Sequence, residues 1–278
     1  MPRFWSRLAL GFLLWTAPAT TFAAPQTQAP PQTPSTIDAE TEDVAELEQE
    51  VGDRDPTYLR TRLVFSYDHK LLEGPASVDR FRPKLLYAFG PRQRFGASVL
   101  VPAIHTDTSS GTASGAGDAE LQAYANVYYT QRFRTGTLVQ TTLQTSSDAL
   151  IGGATTTVKP GWDFAAVLSS RVELTGAFYY KRSIHTARGM PARQFEPDIT
   201  LNARALKATW FVEWDSYYDV IPDRFAQTMK TGVSERVGRD RRWVVSAYYS
   251  TAINEYGRQS QYRYNAGFDA TWYPLKYR

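Results

Sequence analysis

Three histidines, His69, His105 and His185, are the side chains of this 278-residue chain best suited to moving protons near neutral pH. Joined to a serine and a carboxylate, they would make the acyl-transfer site of a lipid-modifying hydrolase. No serine or acidic partner stands at a spacing that supports such a triad. The three come from distant polar segments without local ligand spacing, so a metal site is not expected either. With no cysteine in the chain, disulfides and thiolate metal centres are excluded. A phosphate-cradling glycine loop is missing and the basic residues are dispersed, which gives nucleic-acid binding no support. The expectation is a protein that is not an enzyme, with no catalytic residues, cofactor or metal.

The other chemistry lies in charges and tyrosines that recur in the middle of alternating segments. They are Arg60, Arg62, Arg82, Lys84, Glu120, Tyr124, Tyr128, Asp163, Glu173, Asp198, Arg204, Glu213, Asp215, Lys230, Tyr248, Arg263 and Asp269. Residues at i and i+2 share a face of a strand, so these polar groups line one face while the opposite face stays almost free of charge. In DAELQAYANVYY, for example, Leu121, Ala123, Ala125, Val127 and Tyr129 oppose Glu120, Gln122, Tyr124, Asn126 and Tyr128. The same pattern in QYRYNAGFDATWY sets Tyr262, Tyr264, Ala266, Phe268, Ala270 and Trp272 against Arg263, Asn265 and Asp269.

Twelve such segments are predicted, at 57–70, 77–89, 93–104, 118–131, 136–146, 155–168, 170–184, 194–205, 207–218, 223–236, 240–253 and 260–275. Their connections alternate: short turns follow the even-numbered strands, while longer polar loops such as 105–117 and 146–154 follow odd ones. An even strand count with short turns at one rim and long loops at the other is the pattern of an all-β, antiparallel, up-and-down barrel of the bacterial outer membrane, with both termini periplasmic. Each segment is long enough to cross a bilayer when tilted. A water-soluble sandwich also alternates, but it needs a second layer over every apolar face, and the sequence supplies none.

The N-terminus fits that destination. Residues 1–23 read as a signal peptide, with Arg3 and Arg7 before the apolar run Leu8 to Trp15 and a small-residue cleavage site near Ala23. A Pro/Gln/Thr-rich tether, 24–36, leads to an acidic amphipathic helix, 37–55, which places Val44, Leu47 and Val51 at helical spacing. This block carries nine acids against Arg54, a charge of −8. The barrel from Thr57 to Arg278 carries +9 and the leader +2, so the near-neutral +3 of the chain is a cancellation. Bases gather at the expected short turns, among them Arg92, Arg94, Arg132, Arg134, Arg239 and Arg241. The helix is expected either to dock on this basic rim or enter the lumen as a plug, or else to stay solvated.

Two stretches, VPAIHTDTSSGTASGAGDAELQAYANVYY and LVQTTLQTSSDALIGGATTTVKPGWDFAAVLS, resemble the outer-membrane transporter family named after the meta-pathway of phenol degradation. Pro102, Gly117-Asp118 and Leu121 to Tyr129 match its strand, loop and following strand; Gly152-Gly153 and Pro160 match the next hairpin. The resemblance implies a barrel for uptake of small, often aromatic or hydrophobic compounds, and carries over neither a substrate nor binding residues. The chain departs from the usual terminal aromatic read by the barrel-insertion machinery: it ends Tyr277-Arg278, after Trp272-Tyr273-Pro274. The expectation is thus a passive channel in contact with outer-membrane lipids and a small-molecule solute. A side-chain-filled structural or adhesion barrel and a lipid-modifying hydrolase remain the alternatives.

Overall fold

The computed structural model describes residues 47–51, 54–148, 150–152, 155–186 and 191–274. The leader, the tether and residues 37–46 of the acidic helix lie outside the described residues. A helical turn at 47–51 (α1) precedes β1 (Arg62–Leu71), β2 (Ser77–Phe89), β3 (Phe95–Leu100), β4 (Ala103–Thr108), β5 (Gly111–Ala116), β6 (Ala119–Tyr129), β7 (Phe133–Leu143) and β8 (Thr155–Ser169). There follow β9 (Val172–Thr186), β10 (Arg193–Ala205), β11 (Ala208–Asp219), β12 (Arg224–Val237), β13 (Trp243–Ala252), the helix α2 (Glu255–Ser260) and β14 (Tyr264–Trp272).

All pairings are antiparallel, those from β6 to β14 follow chain order, and β1 bonds to both β14 and β2, so the sheet closes on itself. β3 and β4 both pair with β2, while β3 pairs with β6 and β4 with β5. They are therefore halves of one wall strand, as β5 and β6 are of the next. The result is a closed twelve-stranded barrel, free of the edges that an open sheet exposes. Pro102, with no N–H to give, marks the interruption; its carbonyl instead accepts from Gly117 N at 2.8 Å. The expected loop 105–117 is accordingly a hairpin that prolongs the wall.

The distribution of side chains is inside-out. The outward face carries Phe81, Leu85, Tyr87, Trp162, Phe178, Trp210, Val212 and Phe268, all well exposed, with Trp162 stacked on Phe178 at 6.0 Å. The inward face buries Asp68, Asn202, Thr209, Ser234 and Ser250 instead. So wide an apolar belt needs a cover that is not water. No helix among the described residues is long and apolar enough to cross a membrane. Large inward rings are accommodated by glycines on the neighbouring strand: a Cβ on Gly161 would run into Tyr179, and one on Gly232 into Phe211.

Two departures from strict alternation change what points inward. Between Asn126 and Tyr128 the register of β6 against β7 slips by one residue. A bulge of this kind reverses every side chain beyond it, so Tyr128 is 53% exposed against Phe133 on the outside, whereas Tyr129, 41% exposed at the rim, has its ring 5.9 Å from the guanidinium of the buried Arg134. The second departure precedes β14, where α2 and residues 261–263 break the strand expected from 260. Arg263 is exposed there, and Tyr262, expected outside, is buried.

Candidate functional site

At the short-turn end the barrel is filled by its own N-terminal segment. Residues 57–61, expected as the start of the first strand, do not join the wall. Leu59 is buried against Leu86, Ala88, Tyr124 and Leu138, because that end of the lumen is lined by apolar side chains that water would otherwise wet. Tyr58 packs edge-on to Tyr273, with ring centres 6.3 Å apart, and Tyr273 Oη donates to Gln49 O at 3.2 Å. Asn126 Nδ2 donates to Thr57 O at 2.8 Å, and Arg62 Nη1 to Tyr58 O at 2.6 Å.

The polar contacts of this segment are those of a buried core. Arg134 on β7 is ion-paired with Glu48 and Asp55 of the segment and with Glu173 of β9, at 2.7 Å for Asp55. Its side chain is 1% exposed. Glu50 accepts from Thr209 Oγ1 at 2.5 Å and lies 3.9 Å from Arg204 Nε. Arg54 donates to Asn202 Oδ1 at 3.2 Å and Ser234 Oγ at 2.6 Å, with its guanidinium 4.0 Å over the Phe211 ring. Removal from water pushes the Glu48 carboxyl above the ordinary glutamate value, against the opposing pull of Arg134.

Above the segment lie two cavities. The inner one, about 310 Å³, is floored by Arg54 and Pro56 and walled by Lys84, Glu120, Gln122, Tyr179 and Asp269 among others. The outer one, about 510 Å³, reaches Lys70, Arg80, Lys181, Glu196, Tyr217 and Tyr262 toward the long-loop end. Arg82, Asp198, Glu213, Asp215, Lys230 and Tyr248 belong to both linings, so they form the ring where the cavities meet. At the outer mouth α2 turns inward. Asn254 caps it by accepting from Gly257 N at 3.0 Å, Tyr256 Oη donates to Asp219 Oδ2 at 3.2 Å, and Ser260 and Gln261 reach the outer cavity.

Nine of the residues singled out in the sequence line these cavities: Arg82, Lys84, Glu120, Asp198, Glu213, Asp215, Lys230, Tyr248 and Asp269. Arg62, Tyr124, Asp163, Glu173 and Arg204 lie lower, around the N-terminal segment, and Arg60 sits half-buried just before β1. Tyr128 and Arg263 are in neither group. Asp68, Lys70 and Arg80 were missed although they share the strand phase of Ser66, Arg82 and Lys84, which was signal enough to find them. Asp68 accepts from Arg80 at 3.0 and 3.1 Å and pairs with Arg82 at 3.2 Å. Arg134, expected among the bases of the short-turn rim, is the centre of the buried cluster.

The histidines do not converge on one another. His69 Nδ1 is 2.8 Å from Asp79 Oδ1, which also accepts from Tyr67 Oη at 2.6 Å; His105 Nδ1 is 2.6 Å from Ser114 Oγ; His185 is exposed on β9. Among the described residues no cluster of histidines and carboxylates has the geometry to hold a metal ion.

No family model matches the sequence, and neither does any curated protein. The structure is similar to an outer membrane channel from Pseudomonas putida F1, with a TM-score of 0.64 and 9% identity over 80% of this chain and 98% of that one. It is similar also to the NanC porin, with a TM-score of 0.53 and 10% identity over 77% and 100% of the two chains. A KdgM porin in complex with disordered oligogalacturonate superposes with a TM-score of 0.50 and 12% identity, over 77% and 99%. At such identities the likeness is one of fold: this chain has the barrel architecture of outer membrane channels and porins.

Proposed function

We propose that the chain is a barrel of the bacterial outer membrane that conducts small molecules passively, closed at rest by its N-terminal segment. The observation that carries this reading is the pair of polar cavities that share a ring of six residues and end on Arg54 and Pro56. The apolar belt supports a bilayer as the surrounding medium. Short turns at the plugged end and longer loops at the other support periplasmic termini and, with them, a plug on the periplasmic side.

Resemblance to the meta-pathway transporters supports aromatic compounds among the solutes, and Tyr217, Tyr248 and Tyr262 in the outer cavity offer rings to stack on. The otherwise polar lining favours water-soluble members of that class over purely hydrophobic ones. No cofactor is needed for diffusion along such a path. The test is single-channel conductance in planar bilayers, for the mature chain and for a variant lacking residues 37–55. Little or no conductance of the mature chain and clear conductance of the variant are expected; silence in both removes the channel reading and leaves a closed structural barrel.

A further inference from the structure

We propose that the ring between the two cavities is a selective binding site for small zwitterions, solutes carrying an anionic and a cationic group a few bonds apart. The inference rests on the channel reading and adds the class of solute to it.

The charges of the lumen lean to opposite walls, although Asp68 pairs with Arg80 and Arg82 on the basic side and Lys181 and Lys230 flank the acids on the other. In the closed strand order β2 and β10 are six strands apart, diametrically opposite in a ring of twelve. On one side stand Lys70 of β1 and Arg80, Arg82 and Lys84 of β2; on the other stand Glu196 and Asp198 of β10 and Glu213 and Asp215 of β11. Both walls line the same cavities, so they face each other across open space. The outer cavity holds five cations (Lys70, Arg80, Arg82, Lys181, Lys230) and four carboxylates, which leaves little net charge to attract a simple ion. What remains is a field across the lumen, and a field without net charge acts on dipoles.

Each wall also has unused capacity. Asp198 and Asp215 are direct partners across the β10–β11 ladder, two carboxyls side by side whose simultaneous charging costs stability in a sheet. Lysines are bonded nearby to other acids: Lys230 to Glu213 at 2.7 Å and Lys159 to Glu196 at 2.8 Å. Among the described residues neither Asp198 nor Asp215 has a cation within ion-pair distance. On the opposite wall Arg82 Nε is buried without a hydrogen-bond partner, and Lys70 rests 4.7 Å over the Tyr262 ring. An ammonium would relieve the aspartate pair, and a carboxylate or sulfonate would find the unpartnered Nε of Arg82 beside the Lys70 ammonium. A plain anion or cation satisfies one wall and is repelled by the other.

The test uses solutes of similar size with permanent charges: taurine as zwitterion, isethionate as anion, choline as cation and erythritol as neutral control, with homotaurine to lengthen the dipole. Swelling of phosphatidylcholine liposomes containing the 37–55 deletion variant reads permeation, and calorimetric titration of the detergent-solubilised full chain reads binding. Taurine or homotaurine is expected to enter about fivefold faster than erythritol, the scale of one water-exposed ion pair gained. Arg82→Gln, and Asp198→Asn with Asp215→Asn, should each bring that ratio close to one, heat-modifiable migration on a gel confirming that the barrels are folded. Erythritol entry with no zwitterion advantage and no calorimetric binding overturns the inference and leaves the channel intact. Binding of taurine without entry of any solute overturns the channel and keeps the site. Isethionate outrunning taurine would mean a simple anion path, which also overturns the proposal.

Discussion

Arg134 and Glu48, 86 residues apart in the chain, are ion-paired inside the short-turn end of the barrel, and with Asp55 and Glu173 they form a buried cluster of one cation and three carboxylates. This relationship ties a segment that belongs to no strand to the wall it closes. It makes Arg134 the residue on which closure turns.

Replacing Arg134 by glutamine leaves three carboxylates facing one another out of water. Breaking a buried pair from one side costs about 3–5 kcal/mol. Because the chain has no cysteine, Gln49→Cys can serve as a single reporter whose maleimide labelling measures release of the segment. Labelling in the Arg134→Gln background should be faster by orders of magnitude; an unchanged rate would show that Arg134 does not hold the segment.

The same reporter reads the effect of pH. Burial raises the Glu48 carboxyl in the docked state, with Arg134 and Arg60 opposing the shift and Asp55 adding to it; Glu173 shares the Arg134 guanidinium. The docked state therefore holds its proton at pH values where the released segment has already lost it. Docking is strongest below the ordinary glutamate value and weakens as pH rises through the interval up to the raised one. Labelling at position 49 should accelerate across that interval, and Glu48→Gln should flatten the profile. A profile steepest in the opposite direction would contradict the burial of Glu48.

Segregated walls predict opposite responses to neutralisation. Arg82→Gln with Lys84→Gln should move ion selectivity toward cations, and Glu213→Gln with Asp215→Asn toward anions, each by a few-fold in permeability ratio measured from reversal potentials in a salt gradient. Shifts of the same sign from both variants would mean that the walls do not face a common path.

The bulge in β6 separates two neighbouring tyrosines. Tryptophan placed at Tyr128 should be quenched by brominated lipid, while tryptophan at Tyr129, beside Arg134, should be shielded. Equal quenching would place both rings on one side and remove the reversal.

Much of this was legible in the sequence because strands have a period of two. Phe81, Leu85 and Tyr87 share one phase of β2 and Arg80, Arg82 and Lys84 the other, so the faces follow from the chain alone, and with them the closed barrel of twelve strands. The same rule misplaced Tyr128 and Arg263, since a one-residue bulge and a short helix shift the phase without any composition signal. Leu59 read as a wall residue because its neighbours alternate; the local pattern is identical whether a segment joins the ladder or crosses the lumen.

Periodicity says which side of the wall a charge is on, but not which charge it meets. That Arg134 holds Glu48 and Asp55, that Arg54 spans Asn202 and Ser234, and that the β2 bases face the β10 acids are consequences of closure, which brings residues 79 to 180 positions apart to one level of the barrel. Sequence determined the two faces and the opposite charges of acidic block and barrel; the tertiary structure decided that Glu48, Glu50 and Asp55 of that block are buried with barrel charges, because only a closed lumen excludes the water that would otherwise keep them apart.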